Sequence, residues 1–208
     1  MSGYETVSGY SECEVKIKGS RFISCSGPCP DEAGIGRFLE NVRSRYPSAT
    51  HYCYAAIFNG TDRSERFSDN GEPSGTAGRP MMDVLRNSGL TDTVVVVVRY
   101  FGGTLLGTGG LVQAYSGGTK DVLDIAGRTE SVLCKVYRIT VGYSEYGHIS
   151  ASAASISVGT PAVGYGSAVT VRFCIRDEES DRFEEIVRDV TKGTVKAYSS
   201  GREYVPKN

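Results

Sequence analysis

His51 and Cys53 stand two residues apart in ATHYCYAA, so on a strand both side chains leave the same face. An imidazole beside a thiol lowers the thiol pKa and makes a nucleophile; the other reading is a half-buried histidine next to a small core cysteine. Further along, FSDNGEPSGTAGRP places Asp69 and Glu72 shortly before a helix start. Two such carboxylates suit a general acid and base, or two oxygen ligands for a divalent cation. They equally suit turn-holding and capping of backbone N–H groups. The same stretch delivers Ser74, Gly75, Thr76 and Gly78 onto that helix, whose unpaired N–H groups and partial positive charge attract an anion.

A second glycine-rich stretch, GGTLLGTGG, supplies Gly102, Gly103, Gly107, Gly109 and Gly110 directly after Arg99, Tyr100 and Phe101. It matches neither G-x-x-x-x-G-K-[ST] nor a complete G-x-G-x-x-G, because Val112 takes the last glycine position. Running from a strand into a helix, it still has the geometry that cradles phosphate, with tight-turn packing as the alternative. Side by side, the two stretches would form an anion-binding cleft. Arg99 would be its planar cation and Tyr100 a stacking ring or hydroxyl.

The elements that must position these residues follow from the periodicities. CEVKIKGSRFISCSG alternates about Lys18-Gly19-Ser20 and predicts a hairpin of Cys13–Ile17 and Arg21–Ser26. Ile35, Phe38, Leu39, Val42 and Tyr46 keep helical spacing from Asp31 until Pro47, and HYCYAAIF reads as a strand. Pro80–Ser88 predicts a short helix stopped by Gly89. TVVVVVRYF is an uninterrupted β-branched run, which implies a central strand covered on both faces. LVQAYSGGTKDVLDIAG follows as a helix whose Gly117 and Gly118 each cost about 1 kcal/mol relative to Ala, so close packing against a neighbour is expected there.

After Gly127 the pattern restarts. VLCKVYRITVGY is a strand, Glu145–Ile156 a small-residue helix, Ser157–Tyr165 and Ala168–Ile175 two strands, Glu178–Thr191 a helix, and GTVKAYSSGREYV a closing strand. This βαββαβ order is the ferredoxin-like pattern. The chain of 208 residues is therefore divided into residues 1–129 and 130–208.

A formal net charge of −1, with basic and acidic residues balanced in both halves, excludes a globally basic nucleic-acid module. The second half also lacks the aromatic-bearing RNA-recognition signature. No apolar run approaches the roughly 20 residues of a membrane span, and MSGYETVSGY has no signal-peptide pattern, so a cytoplasmic protein without membrane partners is expected. The six cysteines are then expected as thiols. Only Cys25 and Cys29 are close, and His51 and His148 lie far apart, so neither a structural metal nor a cofactor is expected.

SRFIS at 20–24, ATHYCYAA at 49–56, SDNGEPSGTAGRP at 68–80 and VVVVVRYFGGTLLGTGGLVQAY at 94–115 together resemble the YigZ/IMPACT family. The resemblance implies an α/β (α+β) protein of two domains: an N-terminal domain like those of a small-subunit ribosomal protein, elongation factor G and the GHMP kinases, and a ferredoxin-like βαββαβ C-terminal domain. It implies regulation of translation, since eukaryotic members act there through protein partners. The family's recurrent polar residues fall on His51, Cys53, Asp69, Glu72, Ser74, Thr76, Arg99 and Tyr100. Asn70 stands where an acidic residue is usual, and Leu105 and Gln113 where cations are common. These departures remove charge from a nucleic-acid or metal surface. The expectation is a translation-associated regulatory or binding protein rather than an enzyme, its anion cleft taking RNA, a nucleotide, or an acidic ribosome-associated or regulatory protein. The alternative is a metal-dependent hydrolase or phosphotransfer enzyme using Asp69/Glu72 or His51/Cys53.

Overall fold

The computed structural model describes residues 3–207 and has a mixed α/β architecture. The chain divides into two compact units, Tyr4–Thr129 and a second beginning at Glu130. Among the described residues no helix is long and apolar enough to cross a membrane.

In the N-terminal unit β1 (Tyr4–Val7), β2 (Ser11–Ile17), β3 (Ser20–Pro28), α1 (Glu32–Arg45), β4 (His51–Phe58), β5 (Ser64–Ser68), α2 (Gly78–Ser88), β6 (Thr93–Tyr100) and α3 (Gly107–Ala126) follow in order. An antiparallel sheet runs β2-β3-β6-β4-β5. Ile17 pairs with Ser20, leaving Lys18 and Gly19, both at positive φ, as the two-residue turn that matches strand twist. β6 is the middle strand, and its side chains alternate between two cores. Val95 and Val97 pack with Met81, Leu85 and Tyr115 of α2 and α3, while Val94, Val96 and Val98 pack with Ile35 and Val42 of α1. Coverage on both faces is why the run never alternates with polar residues.

α2 starts at Gly78, two residues before the predicted start, which puts Pro80 at its third position, where its missing N–H still costs no helical hydrogen bond. Gly89, at φ 74°, ends it as predicted. α3 begins at Gly107, so Gly107, Gly109 and Gly110 belong to its first turn and not to a loop. A Cβ on Gly118 would overlap Ser24 Oγ, which accounts for that glycine by close packing; nothing approaches Gly117.

Gly102 passes directly over Gly19, and a Cβ there would overlap the Gly19 backbone carbonyl. Backbone cannot swing aside as a side chain does. Gly102→Ala is expected to cost about 1–3 kcal/mol, whereas Gly109→Ala, with open space around the added methyl, is expected to be neutral or slightly stabilising. Paired thermal melts check this: equal Tm values for the two variants would show that the crossing relaxes freely.

The C-terminal unit holds β7 (Arg128–Val141) from Glu130 on, α4 (Tyr143–Ala153), β8 (Ala162–Tyr165), β9 (Val169–Arg176), α5 (Ser180–Val190) and β10 (Ser199–Pro206), with β10 and β9 both antiparallel to β7 and β8 antiparallel to β9. Tyr137, Ile139, Val171 and Phe173 face Ile149 of α4 and Phe183 and Val187 of α5. The predicted strand Ser157–Tyr165 is broken. Only Ser157 bridges to Ile175 before pairing resumes at Ala162, because Gly159 turns at φ 68° and Pro161 lacks a ladder donor.

Candidate functional site

Both oxygens of Asp69 point back into its own loop. Oδ2 accepts from Gly75 N–H at 2.9 Å, and Oδ1 accepts from Ala77 and Gly78 N–H at 3.0 and 2.8 Å. Burial opposes ionisation of Asp69, but these three backbone donors outweigh it and hold the carboxyl below its ordinary range. The anion at the α2 N-terminus is thus the chain's own carboxylate. Thr76 donates to the Pro73 carbonyl at 2.6 Å, while Ser74 is exposed.

Glu72, 7% exposed, accepts at Oε1 from Arg99 Nη1 and from the Tyr115 hydroxyl, each at 2.7 Å. Arg99 is 5% exposed, donates from Nη2 to Ser20 Oγ at 3.3 Å, and lies between the Phe22 and Phe101 rings at 5.3 and 5.5 Å. Its charge is matched inside the fold. Tyr115 is fully buried, and burial foremost, then Cys53 and Glu72 beside it, push its phenol pKa up. Tyr100 leaves the opposite face of β6, donates to the Pro47 carbonyl at 3.0 Å, and carries Arg21 over its ring. It does not join Arg99.

His51 and Cys53 share a face of β4, as their spacing predicts, but do not form a nucleophilic pair. Cys53 has no exposed surface and donates from Sγ to the Asp69 carbonyl at 2.9 Å. Burial pushes its thiol up to about 12, so the thiolate is scarce at neutral pH. His51 Nδ1 lies 2.9 Å from the Asn70 carbonyl, a contact that places the proton on Nδ1. Nε2 then faces Glu72 Oε1 at 3.8 Å. Asn70, at φ 42°, also accepts from Tyr52 N–H through Oδ1 at 2.8 Å, the local role of the residue that departs from the family pattern.

Three of these groups, His51, Glu72 and Arg99, border a cavity of about 440 Å³. His51, Glu72 and Arg99 supply its polar side. Phe101, Leu105, Leu106 and Leu111 supply an apolar side, and Gly107 and Thr108 bring in the first turn of α3, which has no side-chain cap. Leu105 is 83% exposed at this edge. Of the two glycine-rich stretches, GEPSGTAG contributes Gly71, Glu72 and Pro73, while Ser74, Gly75, Thr76 and Gly78 do not line the cavity. Gly102, Gly103, Gly109 and Gly110 shape the opposing segment without lining it. Phe101 and Leu106 were not read as site residues from sequence, and Leu111 and Tyr115 were read only as one face of the helix; Tyr115 is core as well as a donor to Glu72. Among the described residues no three His, Cys, Asp or Glu side chains gather to hold one ion.

The Impact N-terminal domain family model matches residues 18–123. The chain is 32% identical over 193 residues to the IMPACT family member YvyE of Bacillus subtilis, covering 93% of this chain and 89% of that protein. It is 47% identical over 110 residues to the IMPACT family member YigZ of Escherichia coli, covering 52% and 54% respectively. A crystal structure of a hypothetical protein superposes with a TM-score of 0.65 at 30% identity, covering 97% of this chain and 98% of that one.

Proposed function

The chain belongs to the IMPACT family, and from that premise we propose that it is a binding protein of translation control whose N-terminal unit receives an anionic group in the cavity beside Phe101 and Leu105. The observation that carries this reading is the position of the uncapped α3 N-terminus on the cavity wall, next to exposed apolar side chains. The α2 N-terminus is filled by Asp69 and the Arg99 charge by Glu72. The first-turn backbone N–H groups of α3, which has no side-chain cap, are the donors offered to a phosphate or carboxylate. Leu105 and Phe101 would anchor the rest of the partner, as exposed apolar groups at the rim of a pocket do in interfaces.

The hydrolase or phosphotransfer reading has less to stand on. Cys53 is a protonated buried thiol, Asp69 is held by three backbone donors, and Glu72 is committed to Arg99 and Tyr115.

The test is the melting temperature of the purified chain with inorganic phosphate, a nucleoside triphosphate, a short single-stranded RNA, and an acidic peptide containing leucine, repeated on Leu105→Glu. A ligand of the native state raises Tm by mass action. The expected result is a saturable rise with the RNA or the peptide that disappears in Leu105→Glu. Loss of affinity with a steep salt dependence would assign the anion to RNA phosphates. No rise with any probe, or a rise unchanged in Leu105→Glu, overturns the assignment of this cavity.

A further inference from the structure

β2 closes one end of the N-terminal sheet, so among the described residues one side of its backbone has no strand beside it. Native edge strands are commonly blunted by proline, by a bulge or by brevity. β2 has seven residues and no proline, and it keeps its register against β3 without a shift from the Ser11–Ser26 pair to the Ile17–Ser20 pair. The strand at the other end, β5, has five residues, and its charges are engaged, Glu65 with Arg86 and Arg66 with Glu32. Alternation gives β2 two unlike faces. Glu12 and Glu14 are ion-paired with Arg45 and Arg21. On the other face Cys13 and Ile17 pack against the cluster that includes Leu111 and Tyr115 of α3, while Val15 stays exposed. Between β2 and α3 lies a cavity of about 380 Å³, lined by Cys13, Val15, Ser24 and Gly118. α3 adds Asp121, Asp124 and the exposed Ile125. With Glu14 the lining holds three carboxylates and neither lysine nor arginine. Asp121 and Asp124 form no ion pair among the described residues.

We infer that this edge receives an extended, basic segment of a protein partner, which adds as a strand beside β2 with alternate side chains entering the groove against α3. Main-chain hydrogen bonds to the open side of β2 supply affinity, and the groove supplies the choice of side chain. Apolar β-branched residues suit Val15 and Ile125, and lysine or arginine suits Asp121 and Asp124. The same carboxylates repel an acidic segment, so the charge of the groove selects as well as attracts. This groove shares no lining residue with the cavity beside Phe101 and Leu105, and the inference does not depend on the reading of that cavity.

The test uses the full chain and an end-blocked, fluorophore-labelled peptide of alternating lysine and valine. Fluorescence anisotropy reads affinity, and amide hydrogen–deuterium exchange reads location. The expected result is saturable binding with exchange slowed in Ser11–Ile17. A glutamate–valine peptide is expected to bind about ten-fold more weakly or worse. So is the lysine–valine peptide with every backbone nitrogen methylated, which keeps side chains and charge but loses the main-chain donors. Asp121→Asn/Asp124→Asn, at exposed positions, is expected to weaken binding several-fold without lowering the melting temperature. No saturable binding, equal affinity of the methylated peptide, slowed exchange confined to other segments, or unchanged affinity in the double variant overturns the assignment. A chain that sediments as a dimer with Ser11–Ile17 already protected before peptide is added also overturns it, because a second copy then holds the edge.

Discussion

Glu72→Ala is expected to destabilise the N-terminal unit by about 3–5 kcal/mol, the range for removing one partner of a buried ion pair. The variant leaves the Arg99 guanidinium, 5% exposed, without its carboxylate. It also takes the carboxylate acceptor from the fully buried Tyr115 hydroxyl. Both penalties fall on the same face of the sheet, where α3 packs on β6. Glu72→Gln retains an acceptor for Tyr115 but not the charge for Arg99, and is expected to lose less than Glu72→Ala. The double variant Glu72→Leu/Arg99→Met removes both charges and is expected to recover most of the loss, because the cost lies in the unpaired charge more than in the missing attraction. Urea unfolding followed by far-ultraviolet circular dichroism measures all three. A loss below about 1 kcal/mol in Glu72→Ala, on the scale of an exposed pair, would show that water already reaches Arg99. The pair also decides the choice of variant: Arg99→Ala removes a buried structural partner of Glu72, so Leu105→Glu, at an exposed position, is the cleaner probe of the cavity.

Asp69→Ala is expected to cost about 2–3 kcal/mol, more than an ordinary cap residue, whose loss costs about 0.5–2 kcal/mol. Three backbone donors lose their acceptor at once, and the charge at the start of α2 goes with it. The pH dependence has a definite sign. The native pKa of Asp69 lies below its unfolded-chain value, near 3.9: burial raises it, but the Gly75, Gly78 and Ala77 N–H bonds lower it further. Its contribution is therefore present in full above the unfolded value and is lost as pH falls through the lower native value. Subtracting the stability curve of Asp69→Asn from that of the parent isolates this contribution. A difference that stays constant between pH 6 and pH 3 would show that the carboxylate is not what holds the loop.

The valine run, the hairpin about Lys18-Gly19 and the stop at Gly89 were legible because each rests on one local cause: burial on both faces, a turn between alternating strands, or the end of a helical stripe; Ser20, read as part of the turn, pairs with Ile17 as the first residue of β3. The ion pair was not legible. Glu72 and Arg99 are far apart in sequence, and only the register of β4 beside β6, with His51 opposite Arg99, brings that end of the sheet against the loop. The start of α3 was misplaced for a different reason. Glycine opposes helix by about 1 kcal/mol per residue, yet Leu111, Ala114 and Tyr115 bury enough against the sheet to carry the helix back through GTGG. Asp69 shows the limit of motif reading. A helix start rich in glycine and preceded by an acid reads equally as a receptor for an anion and as a site already occupied by one, and only the hydrogen bonds tell the two apart.

The β6 strand also governs how the chain behaves once unfolded. A run of five consecutive valines after Thr93, uncharged and without proline or glycine, is the kind of segment that stacks on copies of itself into cross-β assemblies. In the native sheet it is out of reach, with β3 paired along one edge and β4 along the other. Once heat separates those neighbours, intermolecular self-association of the run competes with refolding. Heat inactivation of this protein is then governed by how fast β6 is released and by protein concentration, rather than by an equilibrium midpoint alone.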